Sequence, residues 1–191
     1  MSEMMIEIEG SGKHCHLTRE TQDILFGKDF ELDIRRMLTQ PGQFVAEQRL
    51  TMEGPRGSTE LSIVGPCRKA DQVELSFTDA RSLGFDLPIR ESGDVAGSPG
   101  CKLIGPEGEV EIKEGVIVMK RHVHLAPADA ERFGIKDKQI VKVKVVGERA
   151  LIFDEVLART GPDHATYMHI DYDEINAAAI TAANVMGEII I

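Results

Sequence analysis

Tryptophan is absent from this chain, tyrosine occurs twice, and aromatic residues make up only 5% of its 191 positions. A surface that stacks nucleic-acid bases needs aromatic faces, so the sequence disfavours that class of partner. Positive charge is also short: 22 Lys and Arg against 32 Asp and Glu give a formal net charge of −10. A general nucleic-acid binder shows the opposite, a basic footprint. A small phosphorylated ligand is not excluded, because a local cationic cluster suffices for it. No run of about 18 apolar residues occurs, so nothing reads as a membrane span. The N-terminus, Met1-Ser2-Glu3-Met4-Met5, is acidic and lacks the basic start and apolar core of a secretion signal. Cysteine is limited to Cys15, Cys67 and Cys101, an odd number without C-x-x-C spacing. That favours reduced thiols in a cytosolic compartment over a disulfide framework. There is no P-loop, no G-x-G-x-x-G before a helix, no H-E-x-x-H and no G-x-S-x-G. Any phosphate chemistry here therefore falls to metals and arginine.

Against these absences one phrase occurs twice. Lys13-His14-Cys15-His16-Leu17 and Arg121-His122-Val123-His124-Leu125 together use four of the six histidines. Residues i and i+2 of a strand point to the same face, so each His-x-His pair aims two imidazoles at one spot. Two matched copies, each with a basic residue before and a leucine after, point to a duplicated fold carrying two metals. Cys15, between two ligands, points to the opposite face and reads as a small buried side chain rather than a thiolate ligand. Cys67 and Cys101 read as packing residues.

Strand signals fall at Ile6 to Glu9, Glu60 to Val64, Val73 to Ser76, Glu109 to Ile112, Val116 to Met119, Ile140 to Val146 and Leu151 to Phe153, several of them divided by Gly-containing turns. Short punctuated helices lie between them. Thr18 and Gly27 bracket Arg19 to Phe26, Thr78 and Gly84 bracket Asp79 to Leu83, and Pro127 and Gly134 bracket Ala128 to Phe133. Asp171 with Glu174 forms a capping-box pattern opening Tyr172 to Ala179. Asp29 to Leu38, ended by Pro41, reads as a further helix, and the Gly/Ser-rich segment Glu91 to Gly100 as a loop. The fold class is mainly β with short α-helices: small barrels capped by helices. An echo between Thr78 to Asp86 and Pro127 to Ile135 adds a weaker sign of duplication.

A catalytic metal is normally held by three protein ligands with one position open. For the second pair the best-placed third ligand is His169, immediately before a helix; His164, after Pro162-Asp163, reads as a solvated turn residue. For the first pair no histidine remains. A carboxylate is then the natural ligand and Glu74 a candidate, although an exposed strand residue is its plainer reading. Arg68 and Lys69 form a local cationic pair. Arginine can fork two hydrogen bonds onto phosphate where lysine offers a point charge, but a solvated turn explains the pair equally well.

The segments Gly115 to Leu125, Asp129 to Gly134, Gly147 to Asp154 and Met168 to Asn176, with Lys13 to Leu17, Gly65 to Lys69, Gln72 to Glu74 and Thr78 to Arg81, resemble the PduL-type phosphotransacylases, or phosphate propanoyltransferases. The resemblance covers nearly the whole chain and is most specific in its second half. It implies two pseudo-duplicated small β-barrel domains capped by short helices, with two zinc ions between them, and a homodimer. The domains would be 13–119 and 1–12 plus 120–191, the first strand being exchanged. One zinc would fall to His14, His16 and Glu74 with the sulfur of coenzyme A, the other to His122, His124 and His169 with water or phosphate. Arg68 matches a phosphate-contacting arginine, and Asn176, like His169, a position near coenzyme A. Lys13 and Cys15 depart from the family's Arg-His-x-His-Leu. No amphipathic extension precedes the first motif, which favours a cytoplasmic member over one targeted to a microcompartment.

The resulting expectation is a zinc-dependent phosphate acyltransferase that interconverts a short-chain acyl-CoA plus phosphate with acyl phosphate plus coenzyme A. Its partners are small molecules, with no nucleic acid and no membrane. Two other classes stay open: a binuclear zinc hydrolase of phosphoesters or thioesters, and a non-catalytic metal-binding module.

Overall fold

The structure, a computed structural model, describes residues 4–181 and 185–191. In chain order its elements are β1 (Met5–Ser11), β2 (His14–His16), α1 (Arg19–Phe26), β3 (Ile34–Met37), β4 (Phe44–Gly54), β5 (Gly57–Gly65), β6 (Gln72–Leu75), α2 (Phe77–Leu83), β7 (Ile89–Arg90) and β8 (Cys101–Ile104). There follow β9 (Glu109–Ile112), β10 (Val116–Met119), β11 (His122–Leu125), α3 (Pro127–Phe133), β12 (Ile140–Val145), β13 (Leu151–Thr160), β14 (Tyr167–Asp171), α4 (Tyr172–Ala177) and β15 (Met186–Ile190). None of the described helices is long and apolar enough to cross a membrane.

The chain divides into two compact units. One comprises Met1–Ser11, Thr39–Pro41 and Lys120–Ile191, the other Gly12–Leu38 and Gly42–Met119. The first three residues of the segment expected to join the C-terminal half lie outside the described residues.

In the first unit six strands close into a barrel in the order β1-β14-β11-β13-β12-β15. β12 shows why: exposed Ile140, Lys142 and Lys144 alternate with buried Val141, Val143 and Val145, the period of a strand with one face on a core. β1 closes the ring by pairing parallel to β14 and antiparallel to β15. Gly10 lets α4 pack down on β1, since a Cβ there would stand 2.9 Å from Ile175 Cγ1.

The second unit repeats the pattern. β6, β2, β5, β4 and β8 lie side by side as β14, β11, β13, β12 and β15 do. β10 runs parallel to β6 as β1 runs parallel to β14. Each strand that directly precedes a His-x-His phrase thus pairs within the unit that lacks that phrase. Val116, Ile117, Val118 and Met119 make up β10, which is buried along its whole length, as a strand between two parallel neighbours must be. Where the first unit closes, this sheet curls as a half-barrel and stays open. β15 bonds both β12 and β1, whereas β8 turns into a hairpin with β9 across Gly105 to Gly108, and among the described residues no strand links it to β10.

Some expectations need correcting. Asp29 to Leu38 is not a helix: Asp29 has φ 60, and Ile34–Met37 form β3, an exposed strand on the edge that β4 offers. Edge pairing there outweighs the local helical pattern. α2 is capped by Ser76 rather than Thr78. The echo between Thr78 to Asp86 and Pro127 to Ile135 joins helices in different places. α2 follows a strand bearing a third-ligand candidate, while α3 follows a His-x-His strand; what they share is a left-handed glycine stop at Gly84 and Gly134. Cys15 and Cys101 are buried, as packing residues are, but Cys67 is exposed and its thiol donates to Gln22 Oε1 at 3.2 Å.

Candidate metal centres

β2 is buried on both faces, with His14 and His16 on one side and Cys15 in the core on the other. β6 runs antiparallel to it with Glu74 directly opposite His14. The exposed-strand reading of Glu74 therefore does not hold: it is 5% exposed. His14 Nε2 and His16 Nε2 stand 3.2 Å apart, with Glu74 Oε2 3.5 Å from the first and Oε1 3.9 Å from the second.

Hydrogen bonding fixes which nitrogens face inward. His14 Nδ1 lies 2.8 Å from the Gly12 carbonyl oxygen and His16 Nδ1 3.0 Å from that of Val64. Carbonyls only accept, so both Nδ1 atoms carry protons and both Nε2 atoms present lone pairs when neutral. Burial, then the neighbouring His14, pushes the His16 imidazole well below its ordinary range, so protonation does not relieve the repulsion. Two lone pairs and a carboxylate converge on one point, an arrangement that a cation satisfies. Zn–N bonds of 2.0–2.1 Å in a tetrahedron imply ligand–ligand edges of about 3.3 Å, close to the spacing found here. Among the described residues, His14, His16 and Glu74 are the set whose ligand atoms all lie within 4.8 Å of one another.

Glu74 is held by a polar chain. Gln72 Nε2 donates to Glu74 Oε1 at 2.6 Å and to Ser92 Oγ at 2.8 Å, while Gln72 Oε1 accepts from Gly93 N at 2.7 Å. Arg68 Nη1 donates to the same Ser92 Oγ at 3.0 Å. Arg68 is half-buried, not a solvated turn residue, whereas Lys69 is exposed. Sequence reading missed Gln72 and Ser92. Strand alternation could have found Gln72, two residues before Glu74 on the same face; no local pattern marks Ser92.

The first unit carries the second cluster. His169 on β14 lies opposite His122 on β11. Ring centroids are 4.7 Å apart for His122 and His124, 5.3 Å for His122 and His169, and 5.1 Å for His124 and His169. This set is looser and does not meet the 4.8 Å spacing of the first. His122 Nδ1 is 2.9 Å from the Lys120 carbonyl, repeating the His14 arrangement. Burial, followed by the charge of His169, holds the His122 imidazole down at about 3, and burial, followed by the charges of His122 and His169, lowers His124 as well. His169 Nδ1 faces Glu9 Oε2 at 3.7 Å, and its Nε2 accepts from the Gln40 amide at 3.3 Å. Gln40 is in turn fixed by both backbone groups of Ala165. Asn176 is exposed on α4, its carbonyl accepting from Arg149.

His164 departs from its sequence reading. It sits in a turn, but half-buried, its ring stacked on His124 at 4.3 Å and seated over Gly161, where a Cβ would approach it to 3.3 Å. His124 Nδ1 is buried without a hydrogen-bond partner.

A family model described as phosphate propanoyltransferase matches residues 7–181. The phosphate propanoyltransferase of Listeria monocytogenes is 50% identical over 186 residues, covering 97% of this chain and 87% of the relative. That of Clostridioides difficile is 47% identical over 184 residues, 96% and 88% of the two chains. That of Thermotoga maritima is 48% identical over 178 residues, 92% and 85%.

Proposed function

The chain belongs to the phosphate propanoyltransferase family, and from that premise we propose that it is a zinc-dependent phosphate acyltransferase, interconverting a short-chain acyl-CoA plus phosphate with acyl phosphate plus coenzyme A. Acetyl or propanoyl is the acyl group. The observation that carries the metal dependence is the pair of inward Nε2 lone pairs on His14 and His16, 3.2 Å apart beside a buried carboxylate.

His14, His16 and Glu74 would hold one zinc, leaving a position for the sulfur of coenzyme A; His122, His124 and His169 would hold a second. Bound zinc supplies Lewis acidity, which lowers the pKa of a thiol and stabilises negative charge on phosphate. The ligand sets suit different anions. With a divalent ion, two imidazoles and a carboxylate leave a net charge of +1, matched by a thiolate. Three imidazoles leave +2, matched by a phosphate dianion.

In the acyl-CoA-forming direction the sulfur of coenzyme A attacks the acyl carbonyl carbon. The C–S bond forms, the C–O bond to phosphate breaks, and phosphate departs with the electron pair while the thiol proton ends on phosphate or solvent. The reverse reaction exchanges the roles. Arg68 would fork onto the phosphate, its guanidinium oriented through Ser92, and Asn176, exposed on α4, would contact coenzyme A. A homodimer in the cytoplasm fits the free thiols and the exposed Ile34 and Met37 on edge strand β3.

The test is formation of propanoyl-CoA or acetyl-CoA from the acyl phosphate and coenzyme A by zinc-loaded protein, before and after chelation. Activity should vanish on chelation and return with zinc. Arg68→Lys should raise the KM for phosphate by about tenfold and leave that for coenzyme A unchanged, because a lysine keeps the charge and loses the fork. Full turnover by metal-stripped protein defeats the proposal. Product release that needs neither free coenzyme A nor phosphate makes the protein a hydrolase, and metal uptake without turnover makes it a binding module.

A further inference from the structure

In both units the strand that carries the third ligand candidate runs into a capped helix with the same spacing. Two residues after Glu74 comes the N-cap Ser76 and five after it Asp79; two residues after His169 comes the N-cap Asp171 and five after it Glu174. Each acid divides its two oxygens alike. Asp79 Oδ2 accepts from the Ser76 hydroxyl at 3.2 Å, and Glu174 Oε2 accepts from Asp171 N at 3.2 Å. The other oxygen meets the basic residue before the His-x-His pair. Lys13 Nζ lies 3.2 Å from Asp79 Oδ1, and Arg121 Nε 2.9 Å from Glu174 Oε1.

The partner of each acid is not arbitrary. The carbonyl that orients His14 belongs to the Gly12–Lys13 peptide, and the one that orients His122 to the Lys120–Arg121 peptide. Holding the basic side chain therefore holds the peptide whose oxygen fixes Nδ1 and aims Nε2. We propose that Lys13–Asp79 and Arg121–Glu174 are two copies of one positioning tether, each setting the aim of the first imidazole toward the third ligand of its own centre. The inference rests on the metal reading above and adds to it four residues that touch no ligand themselves. Metal-site partners of this indirect kind typically change affinity 10–100-fold.

Asp79→Asn and Glu174→Gln keep a cap-competent side chain while removing the charge, so helix capping survives and the tether does not. Cobalt affinity, by chelator competition, and the visible spectrum of bound cobalt are read in a Glu74→Ala background for the second centre and in a His169→Ala background for the first. Glu174→Gln should weaken the second centre at least tenfold and shift its spectrum, with the first centre unmoved. Asp79→Asn should do the converse, by less, because its pair is more exposed. Lys13→Arg, which installs the basic residue that the other tether uses, should preserve the first centre. If wild-type protein binds about two cobalt ions and both variants match their backgrounds in affinity and spectrum, the tether is wrong and the pairs only cap helices. If wild-type protein binds none, the metal reading and the tether fall together.

Discussion

The two His-x-His centres occupy the same scaffold, yet only one of them is tightly ordered. At the first, both histidines donate from Nδ1 to backbone carbonyls and the three ligand atoms converge. At the second, His122 has its carbonyl, but His124 has none. The pairing registers explain why. His14 lies beside Ser62 on β5, which brings His16 to Val64, whose carbonyl it uses; His124 lies beside Arg159 on β13. The carbonyl equivalent to that of Val64 is thus that of Arg159, and His164 Nδ1 holds it at 3.1 Å. The comparison separates what the two units share, the strand order and the positions of the paired histidines, from what each adapts: the facing third side chain and the hydrogen bonds behind the imidazoles.

Removing the odd ligand from each side is the strongest way to break the comparison. Glu74→Ala should lower bound zinc from about two to about one per chain and leave the three-histidine centre filled. It should also reduce acyl transfer at least ~100-fold, because coenzyme A loses the site that ionises its thiol. His169→Ala should empty the other centre instead and raise the KM for phosphate first. Metal analysis of both purified variants, with circular dichroism to verify folding, decides it. Two zincs and normal turnover in Glu74→Ala would return Glu74 to a buried structural role.

The one-sided histidine pairs were legible because strand alternation and the two repeated phrases report directly on side-chain direction; the burial of Glu74 was not, since its plainer reading was an exposed strand residue. The helices were legible where a cap and a stop bracket them, as Thr18 and Gly27 do for α1 and Asp171 and Glu174 for α4. Long-range pairing was not legible. Nothing local in Asp29 to Leu38 announces that β4 offers it an edge, and nothing in Gly105 to Gly108 says that its hairpin leaves the second sheet open. The polar support was equally hidden. Ser92 reaches Gln72 and Arg68 across 20 and 24 residues, and Gln40 reaches His169 across 129. Such contacts depend on the finished fold, and single residues in loops carry no periodic signal of them.

Acid should sharpen the contrast between the units. In the metal-free protein burial keeps His16, His122 and His124 neutral, His122 down to about 3. The unfolded chain takes up protons on these imidazoles below about pH 6.5. Stability is therefore complete above that pH and falls as pH drops toward the folded values, by up to about 1.4 kcal/mol per pH unit for each imidazole. Burial raises Glu174 to about 7 against the pull of Arg121, and raises Asp171 also. These carboxyls act in the other direction, losing stability as pH rises above their unfolded values near 4, but the three imidazoles together outweigh them over the range from pH 7.5 to 5. Urea midpoints of metal-free protein should fall between pH 7.5 and pH 5. Replacing His122 and His124 by Gln should flatten the dependence more than replacing His16, since the first unit holds two of the shifted imidazoles. Greater stability at pH 5 would put the carboxyls in control.

The smallest effect tests the difference between the centres most closely. A buried donor without a partner costs about 1–3 kcal/mol, and His124 needs a proton on Nδ1 to ligate through Nε2. The acceptor that its position should offer, the Arg159 carbonyl, is occupied by His164, whose ring stacks on His124 itself. Removing that ring frees the carbonyl without touching β11. His164→Ala should let His124 adopt the arrangement of His16 and tighten zinc at the second centre by about fivefold, the equivalent of about 1 kcal/mol. The measurement is chelator competition in a Glu74→Ala background, where only that centre binds. No change would mean that His124 does not turn to the freed carbonyl. Weaker binding would mean something sharper: His164 would itself be a ligand, and the second centre would be a four-histidine site with no open position for phosphate.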